Sequence, residues 1–245
     1  MGRHRFVRLQ KTWDERTDTW HHQVSGSAAF DVVRRETIVA CAIGHGDVVV
    51  DLGAGTGFVA LELAPDASEV VAVDASSEML RVLARSADDR LLSNVTTRCA
   101  DLATFDLPPA SVDVVVSSYA LHHLEDDAKR ALVWRTYRWL RPGGRLVIAD
   151  MMFGRGGSRD DRRILVTKIR RLARRGPKGV WRIAKNLVRF GLRRGTELPV
   201  ARSFWVDALG NAGFVEVVSR PLVAEAGLVW GRRPDWQAGK SDEQE

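Results

Sequence analysis

The sequence predicts a doubly wound α/β fold on three observations. Short β-branched runs alternate with stretches of helical periodicity, the first such run passes straight into a glycine-rich turn, and acids close the next two runs at their C-terminal ends. The chain has 245 residues, 45% hydrophobic and 28% charged, which is the composition of an ordinary globular protein. That length suits one large α/β domain and is short for two.

The elements follow in order. Phe30 to Ile43 mixes apolar and charged residues at helical spacing and stops at Gly44. Asp47-Val48-Val49-Val50-Asp51-Leu52 then changes period to a short β-branched run, as expected for a strand covered on both faces of a parallel sheet. Similar runs occur at Val70–Val73, Val112–Val116 and Arg145–Ala149, with a weaker one over Asn94–Cys99. Between them, 58–64, 77–87 and 126–140 have helical character, the last opening on acids and ending before Arg141-Pro142-Gly143-Gly144. A further helix is predicted around Phe204–Ala212, stopped by Gly213, and closing strands near Val215–Ser219 and Val223–Trp230. The expected domain is 1–232, with 1–27 as an N-terminal lid, and the polar tail 233–245 is expected to be disordered.

Cys41 and Cys99 lie far apart and form no C-x-x-C pair, so neither a zinc site nor a disulfide framework is expected, and no metal is assigned. The N-terminus is basic but no apolar run follows it, and Phe6 stands where a myristoylation signal needs Ser or Thr. A cytoplasmic location is the expectation. The net charge of +6 is unevenly spread. Residues 154–200 carry 15 Lys/Arg against three acids, a local balance of +12, which leaves −6 on the rest of the chain. Such asymmetry points to an anionic partner rather than to fold.

The sharpest local signal is Val48-Val49-Val50-Asp51-Leu52-Gly53-Ala54-Gly55-Thr56-Gly57, a strand running into a turn whose glycines let the backbone bend tightly and a ligand approach. The spacing is G-x-G-x-G. A dinucleotide fingerprint would need glycine where Phe58 stands, which demotes a dehydrogenase. Asp74 ends the next strand 23 residues after Asp51, where a carboxylate can accept both hydroxyls of a ribose. Asp101 with Leu102 follows the third strand, suited to an adenine amino group and ring. All three lie at C-terminal strand ends, where open α/β sheets bind ligands.

With VVDLGAGTG, VVAVDASSEML, CADLATFDLPPASVDVVVSSYALHHL and LRPGGRLVIADM in order, the chain resembles the class I S-adenosylmethionine-dependent methyltransferases. The likeness covers residues 28–153 and resumes over 201–232 with SFWVDALGNAGFVEVVSR. It implies a Rossmann-like seven-stranded sheet, mostly parallel with one antiparallel edge strand, and S-adenosyl-L-methionine as cofactor. By position, Asp51 and the turn of Gly53, Ala54, Gly55 and Gly57 would hold the methionine end, and Asp74 the ribose. Ala75 and Met79 would pack beside the nucleoside, Asp101 and Leu102 would contact adenine, and Ser117 would meet the methionine moiety. The motif set is similar to the branch containing ubiquinone/menaquinone-biosynthesis and small-molecule methyltransferases.

Methyl transfer from a sulfonium is an in-line displacement whose leaving group needs no proton, so positioning supplies much of the catalysis. A base is needed only for a protonated acceptor. His122, His123 and Tyr119, just past the fourth strand, are the candidate catalytic groups, against a bland reading of the two histidines as loop structure or pocket wall. The family often covers its site with an N-terminal aromatic helix, which Trp13-Asp14-Glu15-Arg16-Thr17-Asp18-Thr19-Trp20 resembles. Trp20 is therefore a candidate cofactor contact, while the seven-residue spacing of Trp13 and Trp20 equally suits a helix anchored to the core.

Residues 154–200 form the expected basic helical insertion. Val180, Ile183, Ala184, Leu187, Val188 and Gly191 recur at helical spacing, Ile164, Leu165, Ile169 and Leu172 make a second stripe, and Gly176-Pro177 separates them. Three readings stay open: a pocket cap with a solvated charged face, peripheral contact with an anionic membrane at its inner face, and binding of RNA phosphate. Ser117-Ser118-Tyr119-Ala120 replaces the (N/D)-P-P-(Y/F) loop of base-amino methylating enzymes, which weakens the nucleic-acid reading. The expected function is methyl transfer to a small organic acceptor of amphiphilic or lipid-like character. An RNA methyltransferase and a non-catalytic cofactor-binding scaffold are the alternatives. Acceptor atom and oligomeric state are left open.

Overall fold

The computed structural model describes residues 2–153 and 197–235. Seven strands, β1 (Val48–Leu52), β2 (Glu69–Asp74), β3 (Val95–Cys99), β4 (Val112–Ser118), β5 (Leu140–Met151), β6 (Val215–Pro221) and β7 (Ala226–Arg232), form one sheet in the order β3-β2-β1-β4-β5-β7-β6. β1 pairs in parallel with β2 and β4, β3 with β2, and β5 with β4. The one antiparallel strand is β7, which lies between β5 and the edge strand β6. The chain thus reverses direction across the sheet at β1, and β1 and β4 leave it on opposite sides, the crevice where such sheets hold ligands.

Both faces of the sheet are covered. Val49, Val70, Val114 and Val147 pack with α3 (Ala28–Cys41), α4 (Ala60–Leu63) and α5 (Ser77–Asp89). Their neighbours Val50, Val73, Val115, Leu146 and Ile148 pack with α6 (Asp126–Trp139) and α7 (Arg202–Ala212) on the other face. This two-sided burial is why the strands read as continuous β-branched runs rather than as alternating ones.

Several boundaries differ from the sequence pattern for local reasons. The Pro142-Gly143-Gly144 stretch is part of β5, not a loop: Leu140 pairs with Val112, and the register shifts between Val112 and Val114. A Cβ on Gly144 would lie 2.8 Å from the carbonyl oxygens of both Arg141 and Asp113, so the irregular pairing needs glycine there. β7 starts at Ala226 because Leu222 to Ala226 closes a tight turn through Leu222 N–H to Ala226 C=O at 2.9 Å and Ala226 N–H to Val223 C=O at 3.0 Å. The ordered body continues past 232: Arg233 exchanges backbone hydrogen bonds with Gly143 and Gly144, and its guanidinium donates to the Leu140 carbonyl and lies 5.1 Å from the Tyr137 ring centre. Residues 236–245, the rest of the expected tail, and 154–196, nearly all of the basic segment, lie outside the described residues. Among the described residues no helix is long and apolar enough to cross a membrane.

The N-terminal segment is two helices, α1 (Gly2–Asp14) and α2 (Thr17–Ser25), broken at Glu15 and Arg16. Trp13 and Trp20 therefore sit on different helices, yet their rings meet edge to face at 5.7 Å.

Candidate cofactor cleft

The turn after β1 is built by β2. Gly53 and Ala54 both donate to the carbonyl of Val73, at 2.7 and 3.0 Å, which folds the chain back over the end of the sheet. Gly53, Gly55 and Gly57 have φ of +77°, +54° and +94°, a region that L residues rarely adopt. A Cβ on Gly53 would fall 2.1 Å from Cβ of Ala120, so its glycine is required by the loop after β4. A Cβ on Gly55 would meet only Met79 Sδ and Trp20 Nε1, each at an ordinary contact distance of 3.6 Å, so it would point at two side chains of the cleft wall without a clash.

Beneath this turn Asp51 is buried, its Oδ2 accepting the Ala60 N–H at 3.1 Å while Oδ1 has no partner among the described residues. Burial, reinforced by the charge of Asp74, pushes its carboxyl up to about 7 against the opposing Ala60 bond. Asp74 is held at both oxygens, Oδ2 by Gly55 N–H at 2.9 Å and Oδ1 by Ser76 N–H at 2.8 Å. Burial raises its pKa, these backbone bonds oppose the shift, and Asp14 adds to it. The helix cap itself is Ser76, whose Oγ accepts the Met79 N–H, so Asp74 is not needed as the cap of α5. A carboxylate has about four lone-pair sites, which leaves Asp74 fixed in direction with capacity to spare.

These residues open onto a cleft of about 710 Å³, counted out to solvent at its mouth. Gly53, Ala54, Gly55, Asp74, Ala75, Met79, Asp101, Leu102, Trp20, Tyr119 and His123 all line it. Asp101 does double duty, since its Oδ1 also accepts the Ala103 N–H at 2.9 Å. Four predicted residues do not line the cleft. Asp51 is buried away from it, and Gly57 faces the core, where a Cβ would strike Leu61 at 2.6 Å. Ser117 is turned away, its hydroxyl donating to the Leu52 carbonyl at 2.7 Å, and Ser118 stands at the wall instead. The physical reason is strand alternation: one residue further along β4 points to the opposite side. His122 is buried behind the wall, with Nδ1 2.6 Å from Asp150 Oδ1 and its backbone N–H 2.9 Å from Asp150 Oδ2.

Of the candidate catalytic groups, Tyr119 and His123 thus face the cleft. Tyr119 has φ of +52°, a strained backbone for a bulky residue, and packs on Phe30 at 5.0 Å between ring centres. Burial, with the nearby charges of Glu225 and Asp150, pushes its hydroxyl above the ordinary tyrosine value, which keeps it protonated and suits a hydrogen-bond donor rather than a base. Leu9, Trp13, Phe58, Ala120 and Leu124 also line the wall, beyond the residues that the sequence motifs single out. The W-D-x-x-x-x-x-W spacing was the available signal for Trp13, whereas Leu9 and Phe58 carry none that separates them from core.

A family model described as a methyltransferase domain matches residues 49–144. The chain is 33% identical over 156 residues to an uncharacterized methyltransferase of Anoxybacillus flavithermus, covering 62% of this chain and 70% of that protein. It is 32% identical over 158 residues to phosphoethanolamine N-methyltransferase 1 of Triticum aestivum, covering 61% of this chain but only 32% of that enzyme, so it spans about a third of its length. The solved phosphoethanolamine N-methyltransferase 1 of Haemonchus contortus, in complex with phosphoethanolamine and S-adenosylhomocysteine, shares the fold at a TM-score of 0.54 and 21% identity, over 63% of this chain and 34% of that one. With a third of the aligned residues identical over 70% of a methyltransferase, and the glycine turn and both acids opening on one cleft, the chain belongs to the class I S-adenosylmethionine-dependent methyltransferases.

Proposed function

We propose that this methyltransferase passes the methyl group of S-adenosyl-L-methionine to a small organic acceptor of amphiphilic character. The observation that carries the reading is the distribution of polarity in the cleft. Its acids, Asp74 and Asp101, lie at the nucleoside end, and the remainder of the wall is largely aromatic and aliphatic, from Trp13, Trp20, Phe58, Tyr119 and Leu124. The cofactor fits these residues: Gly55 faces the cleft with no side chain of its own, the oriented Asp74 suits a ribose diol, and Asp101 beside Leu102 suits adenine. When bound, the cofactor supplies an electrophilic methyl on a positively charged sulfur.

The chain's own groups then act by orientation and by exclusion of water. Trp13 and Trp20 close the cleft from the N-terminal helices, and the Ser118-Tyr119-Ala120 turn closes it from β4. A neutral amine acceptor needs no base here. For a hydroxyl or carbon acid, His123 is the candidate to take the proton, with Tyr119 as a donor that orients the acceptor.

Amphiphilic character is supported by charge. Around residues 154–196, Met152 donates its N–H to Glu225 C=O at 2.9 Å and Leu198 its N–H to His122 C=O at 2.6 Å. A balance of +12 over residues 154–200 favours an acceptor with an anionic head, met at an anionic membrane surface. The test is release of S-adenosylhomocysteine in the presence of small amphiphiles, with vesicle flotation in parallel. Turnover with an amphiphile, and flotation that needs anionic lipid, are the expected results. Turnover only with RNA, or none with any acceptor beside intact cofactor binding, would overturn the reading in favour of an RNA methyltransferase or a scaffold.

A further inference from the structure

A buried pair behind the cleft does no work in the scheme above. Asp150, near the end of β5, is 1% exposed and His122 6%. Each carboxylate oxygen meets His122: Oδ1 its ring nitrogen Nδ1 at 2.6 Å, and Oδ2 its backbone N–H at 2.9 Å. Oδ1 also accepts the N–H of Met151 at 2.7 Å. A carboxylate accepts, so Nδ1 carries the proton and the ring is fixed in both direction and tautomer.

The contacts continue outward. The His122 ring lies 4.0 Å from that of His123, His123 meets Trp13 edge-on at 5.2 Å, and Trp13 meets Trp20 at 5.7 Å. The last three line the cleft and the first does not. On its other side His122 holds Leu198 through its carbonyl, and Leu198 is held a second time by the fully buried Lys129, whose Nζ donates to the Leu198 carbonyl at 2.6 Å. A buried ion-type pair is a weak source of stability against an apolar pair of equal volume, and its attested use is to specify one arrangement.

We infer that Asp150 is a positioning residue of the cofactor cleft: through His122 it sets His123 against Trp13, and so joins the N-terminal helices and the Leu198 leg to the end of the sheet. This rests on the cleft being the cofactor site. Asp150→Asn keeps a single carbonyl and can satisfy the ring or the backbone N–H, not both. His122→Phe keeps a ring beside His123 but drops the hydrogen bond. His122→Asn carries an amide N–H near the place of Nδ1–H and is the conservative rescue.

The full chain, labelled with 5-fluorotryptophan, is followed by 19F NMR, the Trp13 and Trp139 signals being assigned with single Trp→Phe variants. S-adenosylhomocysteine affinity is measured by calorimetry on the same samples. Trp139, buried in the core, reports general folding. Asp150→Asn and His122→Phe should shift or broaden Trp13 with Trp139 unchanged and weaken the ligand at least fivefold, while His122→Asn stays near wild type on both. An unmoved Trp13 signal and unaltered affinity overturn the inference, and so does equal disturbance of Trp13 and Trp139, which marks a merely structural role. If Asp150→Asn does not fold, the two His122 variants decide. If the wild type fails to bind S-adenosylhomocysteine, the cofactor assignment falls, whereas the Trp13 signal still decides whether the brace exists.

Discussion

Replacing Gly55 by alanine separates the needs of the ligand from the needs of the fold. The residue sits at φ +54°, where a Cβ costs about 1–2 kcal/mol. That Cβ would find only Met79 Sδ and Trp20 Nε1, both at ordinary contact distance of 3.6 Å, so no clash adds to the backbone strain. For a domain of this size each kcal/mol moves the melting temperature by about 2–4 °C, so Gly55→Ala should melt roughly 2–8 °C below wild type and remain folded. Its methyl, however, occupies the cleft between the turn and Trp20. S-adenosylhomocysteine should bind at least about tenfold more weakly, some 1.4 kcal/mol, by calorimetry. Gly53→Ala is the contrast, because its Cβ would lie 2.1 Å from that of Ala120 and the backbone there must move. It should lose more stability than Gly55→Ala. Unchanged affinity in Gly55→Ala, or a greater loss of melting temperature than in Gly53→Ala, would refute the placement of the ligand over this turn.

Other variants test the acids and the covering helix. Asp74→Asn retains one carbonyl where Gly55 and Ser76 both donate, so it should cut the affinity for S-adenosylhomocysteine and for adenosine alike by at least about tenfold, and equal binding in calorimetry would remove Asp74 from the ribose. Folded Asp51 keeps its proton up to about pH 7, whereas the unfolded chain releases it near 3.8; its contribution is therefore full below 3.8 and declines as pH rises to about 7. Denaturant titrations should show wild type losing up to about 1.4 kcal/mol per pH unit in that window relative to Asp51→Asn, and parallel curves would contradict it. Asp14 Oδ1 accepts from Ser76 Oγ at 2.6 Å and from Glu78 N–H at 3.2 Å, tying α1 to the start of α5. Asp14→Ala should speed S-adenosylhomocysteine dissociation by about tenfold in stopped flow, and an unchanged rate would mean that α1 does not hold the ligand in.

The sheet was readable because β-branched runs covered on both faces have few alternatives, and the glycine turn because three positive φ values in five residues demand its spacing. The departures are places where tertiary packing overrides local signals. Pro142-Gly143-Gly144 looks like a loop and lies in β5, because α6 runs directly into the strand and a bulge absorbs the glycine. Ser117 and Ser118 are equivalent as letters, and only the register of β4 against β1 and β5 decides which of them reaches the cleft. His122 and His123 differ in the same way: what separates them is Asp150, 28 positions on, a pairing that neither spacing nor composition announces. Trp13 and Trp20 were legible as a pair, but the break at Arg16 that turns both toward the cleft is not encoded by any proline or glycine.

The measurement that bears most directly on the account is a calorimetric titration of the full chain with S-adenosylhomocysteine and, in parallel, with NAD. One S-adenosylhomocysteine should bind per chain, with the affinity lost in Asp74→Asn, and NAD should produce no heat of binding. Saturable NAD binding with none for S-adenosylhomocysteine would contradict the assignment of the cleft.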